Sequence, residues 1–221
     1  MALNKNSKIK VVKIESSVPK TINDKYLLYL PNKYHQIKKD WPLIFFLHGA
    51  GERGNDIELV KKHGPPKLIT EDKSFPFIIA VPQCNENMKW NIEELNNLLD
   101  EIIFKYNIDT KRIYLTGLSM GGFGTWDMAI KFPNKFAAII PICGGGDPSK
   151  VCKIKDLPIW VFHGAKDDIV PLSKSEEMVK GLKDCGGNPK FTIYPNAEHD
   201  SWTETYNNPQ IYEWFLQFSR K

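Results

Sequence analysis

The amino-acid sequence predicts an α/β fold with a mostly parallel, doubly wound sheet. Short continuous apolar runs, typical of strands buried on both faces, recur along the chain, and amphipathic segments with a period of about 3.6 residues separate several of them. Strands that alternate with helices form a parallel sheet and place ligands at the carboxyl ends of the strands. The length of 221 residues, 42% of them hydrophobic, predicts a single domain over residues 1–221.

The strands are predicted in two groups. Polar and apolar residues alternate from Lys8 to Glu15, and a second apolar run follows at residues 26–30, so antiparallel strands are expected at the N-terminus. The parallel strands are predicted at residues 43–47, 77–81, 113–115, 137–142, 159–162 and 190–194.

Three helices are predicted from their first residues. Asn91, with Glu94 three residues later, caps an amphipathic segment that runs to residue 106. Ser173 and Glu176 form the same capping-box pattern before a second helix, which the glycines at 186–187 end. Asn208, followed by a proline, is predicted to cap the last helix.

Charge and composition exclude several classes of partner. The formal net charge of +4 comes from nine lysines among residues 1–40, without the arginine clusters or interleaved aromatic residues of a nucleic-acid site. No apolar run approaches the roughly 18 residues that cross a bilayer, so no membrane partner is expected. The first residues lack the apolar segment of a secretory signal, which favours a cytoplasmic location, with secretion as the alternative if a signal peptide has been removed. The four cysteines have no metal-ligand spacing and are expected to be buried or idle thiols.

A glycine-rich turn follows the predicted strand at 113–115 and precedes a further helical segment. It reads Gly117-Leu118-Ser119-Met120-Gly121, the pattern G-x-S-x-G in the strand, turn and helix context that exposes a nucleophilic serine. A larger side chain at either glycine would collide with neighbouring backbone. The alternative interpretation is a tight packing turn or a phosphate site at a helix N-terminus.

A nucleophilic serine requires a histidine base and an acid that orients the base. With this turn the chain order is serine, acid, histidine, and His199 is the only histidine that follows the acids at the later strand ends. Asp167 and Asp168 both follow the strand at 159–162. The pattern H-G-x-x-D-x-x-V-P, which begins at His163, favours Asp167 as the acid. Asp168 is then a turn residue, and Asp147 is the runner-up acid.

Two backbone N–H groups are predicted to receive the oxyanion that forms when a carbonyl is attacked. One belongs to Met120, directly after the serine, and the second is expected from a loop that leaves an earlier strand. The segment LHGAGERG supplies such a loop, and Ala50 is the predicted second donor. A tight turn without a catalytic part is the alternative.

Five segments, LHGAGERG, GLSMGGFGTWDMA, PICGGGD, HGAKDDIVP and YPNAEHDSW, resemble the phospholipase/carboxylesterase-type branch of the α/β-hydrolase superfamily. Within it the likeness is closest to small capless proteins related to feruloyl-esterase-like and dienelactone-hydrolase-like enzymes, and it runs from about Trp41 to the C-terminus. The resemblance implies the α/β-hydrolase fold and a serine-hydrolase mechanism without cofactor or metal. Ser119 is acylated in that mechanism, and His199 then activates the hydrolytic water.

Loop lengths predict an open cleft. The segment 144–156 is too short for the helical cap of larger hydrolases, and residues 49–76, expected to be irregular, with residues 83–90 would form the cleft walls. Trp90 and Trp202 are candidates to contact an aryl or sugar ring, with packing as the alternative role for each. We therefore expect a serine carboxylesterase for short-chain or aryl acyl esters, including acyl groups on plant polysaccharide. A prolyl-oligopeptidase-like serine peptidase and a non-catalytic ligand-binding module are the alternatives.

Overall fold

The computed structural model describes residues 9–15, 20–71 and 73–220. Lys8, where the first strand is predicted to begin, lies outside the described residues, as does most of the N-terminal segment on which the expectation of no secretory signal rests. The described chain forms one eight-stranded sheet. Its strands, in chain order, are β1 (Ile9–Lys13), β2 (Ile22–Tyr29), β3 (Trp41–Leu47), β4 (Ile78–Cys84), β5 (Ile108–Leu118), β6 (Ala138–Ile142), β7 (Trp160–Gly164) and β8 (Lys190–Tyr194).

The strand order in space is β1-β2-β4-β3-β5-β6-β7-β8. β2 pairs antiparallel with both β1 and β4, and every other neighbouring pair is parallel. The predicted α/β-hydrolase fold, with antiparallel strands at the N-terminal side of a mostly parallel sheet, is therefore confirmed. The link between β6 and β7 holds one short 3₁₀ helix, Val151–Ile154, and no cap domain lies in this link or elsewhere in the part of the chain that the structure describes.

Six α-helices lie against the sheet. They are α1 (Gly64–Thr70), α2 (Ile92–Lys105), α3 (Met120–Lys131), α4 (Ser173–Asp184), α5 (Trp202–Asn207) and α6 (Gln210–Leu216). The apolar side chains divide between the two faces of the sheet, as β3 illustrates: Phe45 belongs to the core beneath α2, α3 and α4, whereas Phe46 belongs to the core beneath α1, α5 and α6. This two-sided burial explains why the central strands have continuous apolar sequences.

Helix starts match the prediction at one of three positions. Asn91 caps α2 as predicted, because its side chain accepts hydrogen bonds from the N–H groups of Glu93 and Glu94. The predicted capping box at Ser173 is wrong, since Ser173 is itself the first residue of α4 and no side-chain bond caps that helix. Asn208 does accept from the Gln210 N–H, but α6 begins one residue later than predicted.

The segment 49–76 was expected to be irregular, and that expectation is wrong. It contains α1 and two 3₁₀ helices, Ala50–Glu52 and Ile57–Lys61. Two prolines occupy the first turn of α1, where their missing N–H groups cost nothing. The prolines therefore lie in the first turn of a helix within a segment that was expected to be irregular.

The four cysteines divide into a pair and two buried thiols. Cys152 and Cys185 form a disulfide that links the 3₁₀ helix after β6 to the end of α4, so the expectation of idle thiols is wrong for this pair. Cys84 and Cys143 are free and buried. Disulfides persist in oxidising compartments, a condition that the expected cytoplasmic location does not provide. Among the described residues no helix has the length and apolar character to cross a bilayer.

Candidate active site

Ser119 lies at the turn between β5 and α3, in a strained backbone conformation. Its φ of 53° and ψ of −118° lie in a region that a non-glycine residue rarely adopts, at a typical cost of about 1–3 kcal/mol. The turn passes very close to neighbouring backbone. A Cβ atom added at Gly117 would lie 2.4 Å from the Gly121 carbonyl oxygen, and one added at Gly121 would lie 2.0 Å from the Leu47 carbonyl oxygen. The two outer glycines of G-x-S-x-G are thus required by contact with backbone.

His199 reaches Ser119 from the loop between β8 and α5. Its Nε2 lies 2.9 Å from Ser119 Oγ, and its Nδ1 lies 2.7 Å from Asp167 Oδ2. The structure therefore brings Ser119, His199 and Asp167 together in one hydrogen-bonded row, in the order expected from the sequence. The imidazole is 19% exposed, so the row opens to solvent at one side.

Asp167 is buried in the loop that follows β7. Its Oδ1 accepts hydrogen bonds from the N–H groups of Ile169 at 3.0 Å and Val170 at 2.8 Å, which leaves Oδ2 directed at His199. The structure does not bring the two alternative acids to His199. Asp168 is exposed, and Asp147 is half-buried and bonded to Ser149 and Lys150. The hydrogen bond from Lys150 lowers the pKa of Asp147 to about 2.

Backbone contacts connect the loop that carries Asp167 to the loop that carries His199. The Lys166 N–H donates to the Ala197 carbonyl at 3.0 Å, and a Cβ added at Gly164 would lie 2.2 Å from the Glu198 carbonyl oxygen. The absence of a side chain at Gly164 thus lets the two loops approach. This contact explains the glycine in the H-G-x-x-D pattern.

Ala50 and Met120 lie at the starts of the 3₁₀ helix Ala50–Glu52 and of α3, where backbone N–H groups have no partner within the helix. Within the described chain neither N–H donates a hydrogen bond. The neighbouring Gly49 N–H is already occupied, since it donates to Glu52 Oε2 at 3.0 Å. Ala50 is exposed and Met120 is half-buried, so both N–H groups are available to a ligand.

His48 fixes the loop that carries Ala50, a role that the sequence did not predict. Its Nδ1–H donates to the Gly49 carbonyl at 2.6 Å, and its Nε2 accepts from the Cys84 N–H at 3.0 Å. The acceptor role of Nε2 requires a neutral ring, and burial lowers the pKa of His48 to about 4. The only signal in the sequence is the position of His48 directly after a buried strand.

The two tryptophans that were candidates for substrate contact lie in different environments. Trp90 is 9% exposed, packs against the His48 ring and donates its Nε1–H to the His48 carbonyl, so it offers little surface to a ligand. Trp202 is half-buried, and its ring lies edge to face with His199 at 5.1 Å and with His63 at 5.4 Å between ring centres. Of the two tryptophans, Trp202 is therefore the one that lies beside His199.

One set of side chains in the described part of the chain approaches a metal-binding arrangement. The donor atoms of Cys143, Asp167 and His199 lie within 4.8 Å of one another. These donors are poorly suited to an ion, because Asp167 already accepts three hydrogen bonds and burial raises the pKa of the Cys143 thiol to about 12. We assign no metal to the site.

Comparisons with known proteins show the family of this chain. A sequence model of the family described as Phospholipase/Carboxylesterase matches residues 78–212. The chain is 30% identical to the bifunctional acetylxylan esterase/xylanase of Neocallimastix patriciarum over 185 residues, which cover 78% of this chain and 26% of that protein. It therefore spans about a quarter of the length of that relative.

Two solved structures are similar in fold. A thermostable esterase superposes with a TM-score of 0.76 at 37% identity, over 89% of this chain and 59% of the other. A ferulic acid esterase superposes with a TM-score of 0.71 over 96% of this chain and 99% of the other, and at 19% identity this likeness shows the fold alone.

Proposed function

The chain belongs to the phospholipase/carboxylesterase family of α/β-hydrolases, and on this basis we propose that it is a serine carboxylesterase for short-chain or aryl acyl esters. The observation that carries the proposal is the hydrogen-bonded row from Asp167 Oδ2 through His199 to Ser119 Oγ, with distances of 2.7 and 2.9 Å. A serine on a strained turn, an imidazole within hydrogen-bond distance and a buried carboxylate behind it are the parts that acyl transfer requires.

In the first half-reaction Ser119 Oγ attacks the ester carbonyl carbon while His199 Nε2 takes the hydroxyl proton. Asp167 holds the tautomer of His199 that carries a proton on Nδ1 and stabilises the imidazolium that forms. The tetrahedral oxyanion accepts hydrogen bonds from the N–H groups of Ala50 and Met120. His199 then gives its proton to the alcohol oxygen, the carbon–oxygen bond breaks, and the acyl group stays on Ser119.

The second half-reaction repeats these steps with water. His199 Nε2 takes a proton from water as the water oxygen attacks the acyl-enzyme, and the same two N–H groups receive the oxyanion. When the intermediate collapses, the proton returns from His199 to Ser119 Oγ and the carboxylic acid leaves. The residues named here supply every proton transfer.

The proposed substrate class follows from the surroundings of Ser119, His199 and Asp167. The short link between β6 and β7 leaves no cap over the row in the described chain, which favours an open cleft over an enclosed tunnel for a long acyl chain. Trp202, which stands beside His199, is the proposed contact for an aryl or sugar ring. The similarity to an acetylxylan esterase/xylanase supports acetyl groups on plant polysaccharide as candidates, and the proposed aryl contact of Trp202 extends the candidates to feruloyl groups.

The proposal is tested with p-nitrophenyl esters from acetate to palmitate, together with methyl ferulate, acetylated xylan and a set of peptide amides. We expect the short-chain and aryl esters to give the highest kcat/KM. A preference for palmitate would contradict the open cleft, and faster cleavage of the peptides would favour the peptidase alternative.

Labelling with a fluorophosphonate separates an enzyme from a ligand-binding module. We expect Ser119→Ala to abolish labelling and Ser219→Ala to leave it unchanged, since Ser219 is exposed and adjoins Arg220, which bonds to the start of β5. For the acid, Asp167→Asn should lower kcat by roughly 10⁴-fold, whereas Asp147→Asn should not. Labelling that persists in Ser119→Ala would refute the proposed nucleophile.

A further inference from the structure

A second histidine also contacts the proposed catalytic acid. His163 is fully buried in β7, and its Nε2 lies 3.2 Å from Asp167 Oδ2 and 2.9 Å from the Val170 carbonyl oxygen. Its Nδ1 lies 2.7 Å from Ser175 Oγ at the start of α4. The mechanism above does not use this imidazole, although both of its nitrogens are hydrogen-bonded.

The neighbours of His163 determine where one of its protons lies. A backbone carbonyl only accepts hydrogen bonds, so Nε2 must carry the hydrogen that it donates to the Val170 carbonyl, and this N–H group lies beside the Asp167 carboxylate. On the other side of the ring, Ser175 Oγ also lies 2.9 Å from the Gly144 carbonyl. The ring is thus held by a residue of α4 and by the loop after β7.

His163 stands beside the oxygen of Asp167 that faces His199. Oδ1 accepts from the Ile169 and Val170 N–H groups, Oδ2 accepts from His199, and His163 Nε2 lies 3.2 Å from the same Oδ2. The bond from His163 to the Val170 carbonyl closes the loop that carries Asp167 onto the end of β7. Removing His163 would leave Oδ2 without this neighbouring N–H group and the loop without this closure.

We propose that His163 is a positioning residue that fixes the Asp167 carboxylate, and through it the His199 imidazole, for attack by Ser119. The inference rests on the proposed triad. The hydrogen bond to the Val170 carbonyl fixes the loop that carries Asp167, and a carboxylate that turns no longer holds His199 in the productive tautomer and orientation. A packing role alone would require the shape of the ring but not its Nε2 hydrogen.

The test compares two substitutions of nearly equal shape. In His163→Gln the amide nitrogen lies the same number of bonds from Cβ as the imidazole Nε2 and can donate, whereas in His163→Met a methyl group takes that place. We expect His163→Met to lower kcat for p-nitrophenyl acetate by roughly 10- to 100-fold with KM changed by less than about twofold. His163→Gln should restore most of kcat.

The downfield NMR signal of the His199 Nδ1 proton supplies a readout that does not depend on turnover. We expect the signal to be lost in His163→Met and kept in His163→Gln. If the wild-type protein neither labels at Ser119 nor hydrolyses esters, the proposed function fails, while this signal still decides the positioning role.

Two results would overturn the inference. One is a His163→Met variant with wild-type kcat and an unchanged His199 signal. The other is equal loss of kcat in the Met and Gln variants, which would show that ring shape matters and the donor does not. Should His163→Met fail to fold, Ser175→Ala keeps the His163 ring and removes the contact to Nδ1, together with the hydrogen bond to the Gly144 carbonyl. A several-fold loss of kcat at constant KM then supports the proposal, and an unchanged kcat refutes it.

Discussion

Acidification is expected to destabilise this protein through His48, beneath the proposed oxyanion loop. The ring is 1% exposed, and its Nε2 accepts the Cys84 N–H, a bond that a proton on Nε2 would replace with a repulsive contact. Burial lowers the pKa of His48 from 6.5 to about 4 in the folded protein, whereas the unfolded chain retains the ordinary value. The unfolded state therefore binds more protons between these two pH values.

The sign and size of the effect follow from proton linkage. Above pH 6.5 the ring is neutral in both states, and His48 contributes no penalty. As the pH falls from 6.5 towards 4, the His48 ring binds a proton in the unfolded state but not in the folded state. The free energy of unfolding therefore decreases by about 1.4 kcal/mol per pH unit. The total loss from His48 is about 3 kcal/mol, a large part of the stability of a typical domain.

The assay is urea unfolding at a series of pH values for the wild type, His48→Gln and His35→Gln. Other ionisable groups contribute to the wild-type slope, so the expected result is a difference: the pH slope between about 4.5 and 6 should be smaller in His48→Gln by roughly 1.4 kcal/mol per pH unit. The control variant changes an exposed histidine and should keep the wild-type slope. Equal slopes in all three proteins, or an NMR titration of the His48 ring centred near 6.5, would refute the reasoning.

Two further predictions concern stability. Gly121→Ala should lower the free energy of unfolding by at least about 3 kcal/mol, because the new Cβ would lie 2.0 Å from the Leu47 carbonyl oxygen. The control Gly51→Ala should not lower it, since the added Cβ would have no atom within 4 Å. Equal melting temperatures of the two variants would contradict the backbone contact at Gly121. Replacing Cys152 and Cys185 by serine should cost about 3–4 kcal/mol, because the bond spans 33 residues and restricts the unfolded chain. Urea unfolding with and without reductant measures this cost, and four reactive thiols in the denatured, unreduced protein would show that the disulfide does not form.

The sequence predicted best where one physical cause dominates. Central strands such as β3 and β6 are buried on both faces, so an apolar run locates each of them to within a few residues. The serine and histidine were located because a strained turn requires glycines and because chain order left His199 as the one candidate. Helix starts were predicted less well. A serine three residues before a glutamate predicts a helix cap, but Ser173 is itself the first residue of α4.

The residues that sequence reasoning missed depend on partners that the tertiary fold brings to them. His48 accepts a hydrogen bond from the N–H of Cys84, and His163 bonds to Ser175 and lies beside Asp167. No periodicity marks such a side chain, because its role is set by the tertiary fold. Each is recognisable only as a histidine followed by glycine at the end of a buried strand, and that signal carries no information about its partners.

The glycines of the site link its geometry to the stability of the sheet. Gly121 allows the serine turn to lie against the Leu47 carbonyl at the end of β3, and Gly164 allows the acid loop to lie against the Glu198 carbonyl beside His199. These contacts join backbone to backbone, where a strand end cannot shift without breaking pairing in the sheet. The strained φ of Ser119 is held in place by the same contacts, since relaxing the turn would drive backbone atoms together. We therefore expect substitutions that loosen the serine turn to lower activity and stability together, and substitutions of Ser119, Asp167 or His199 to lower activity while leaving the backbone contacts intact.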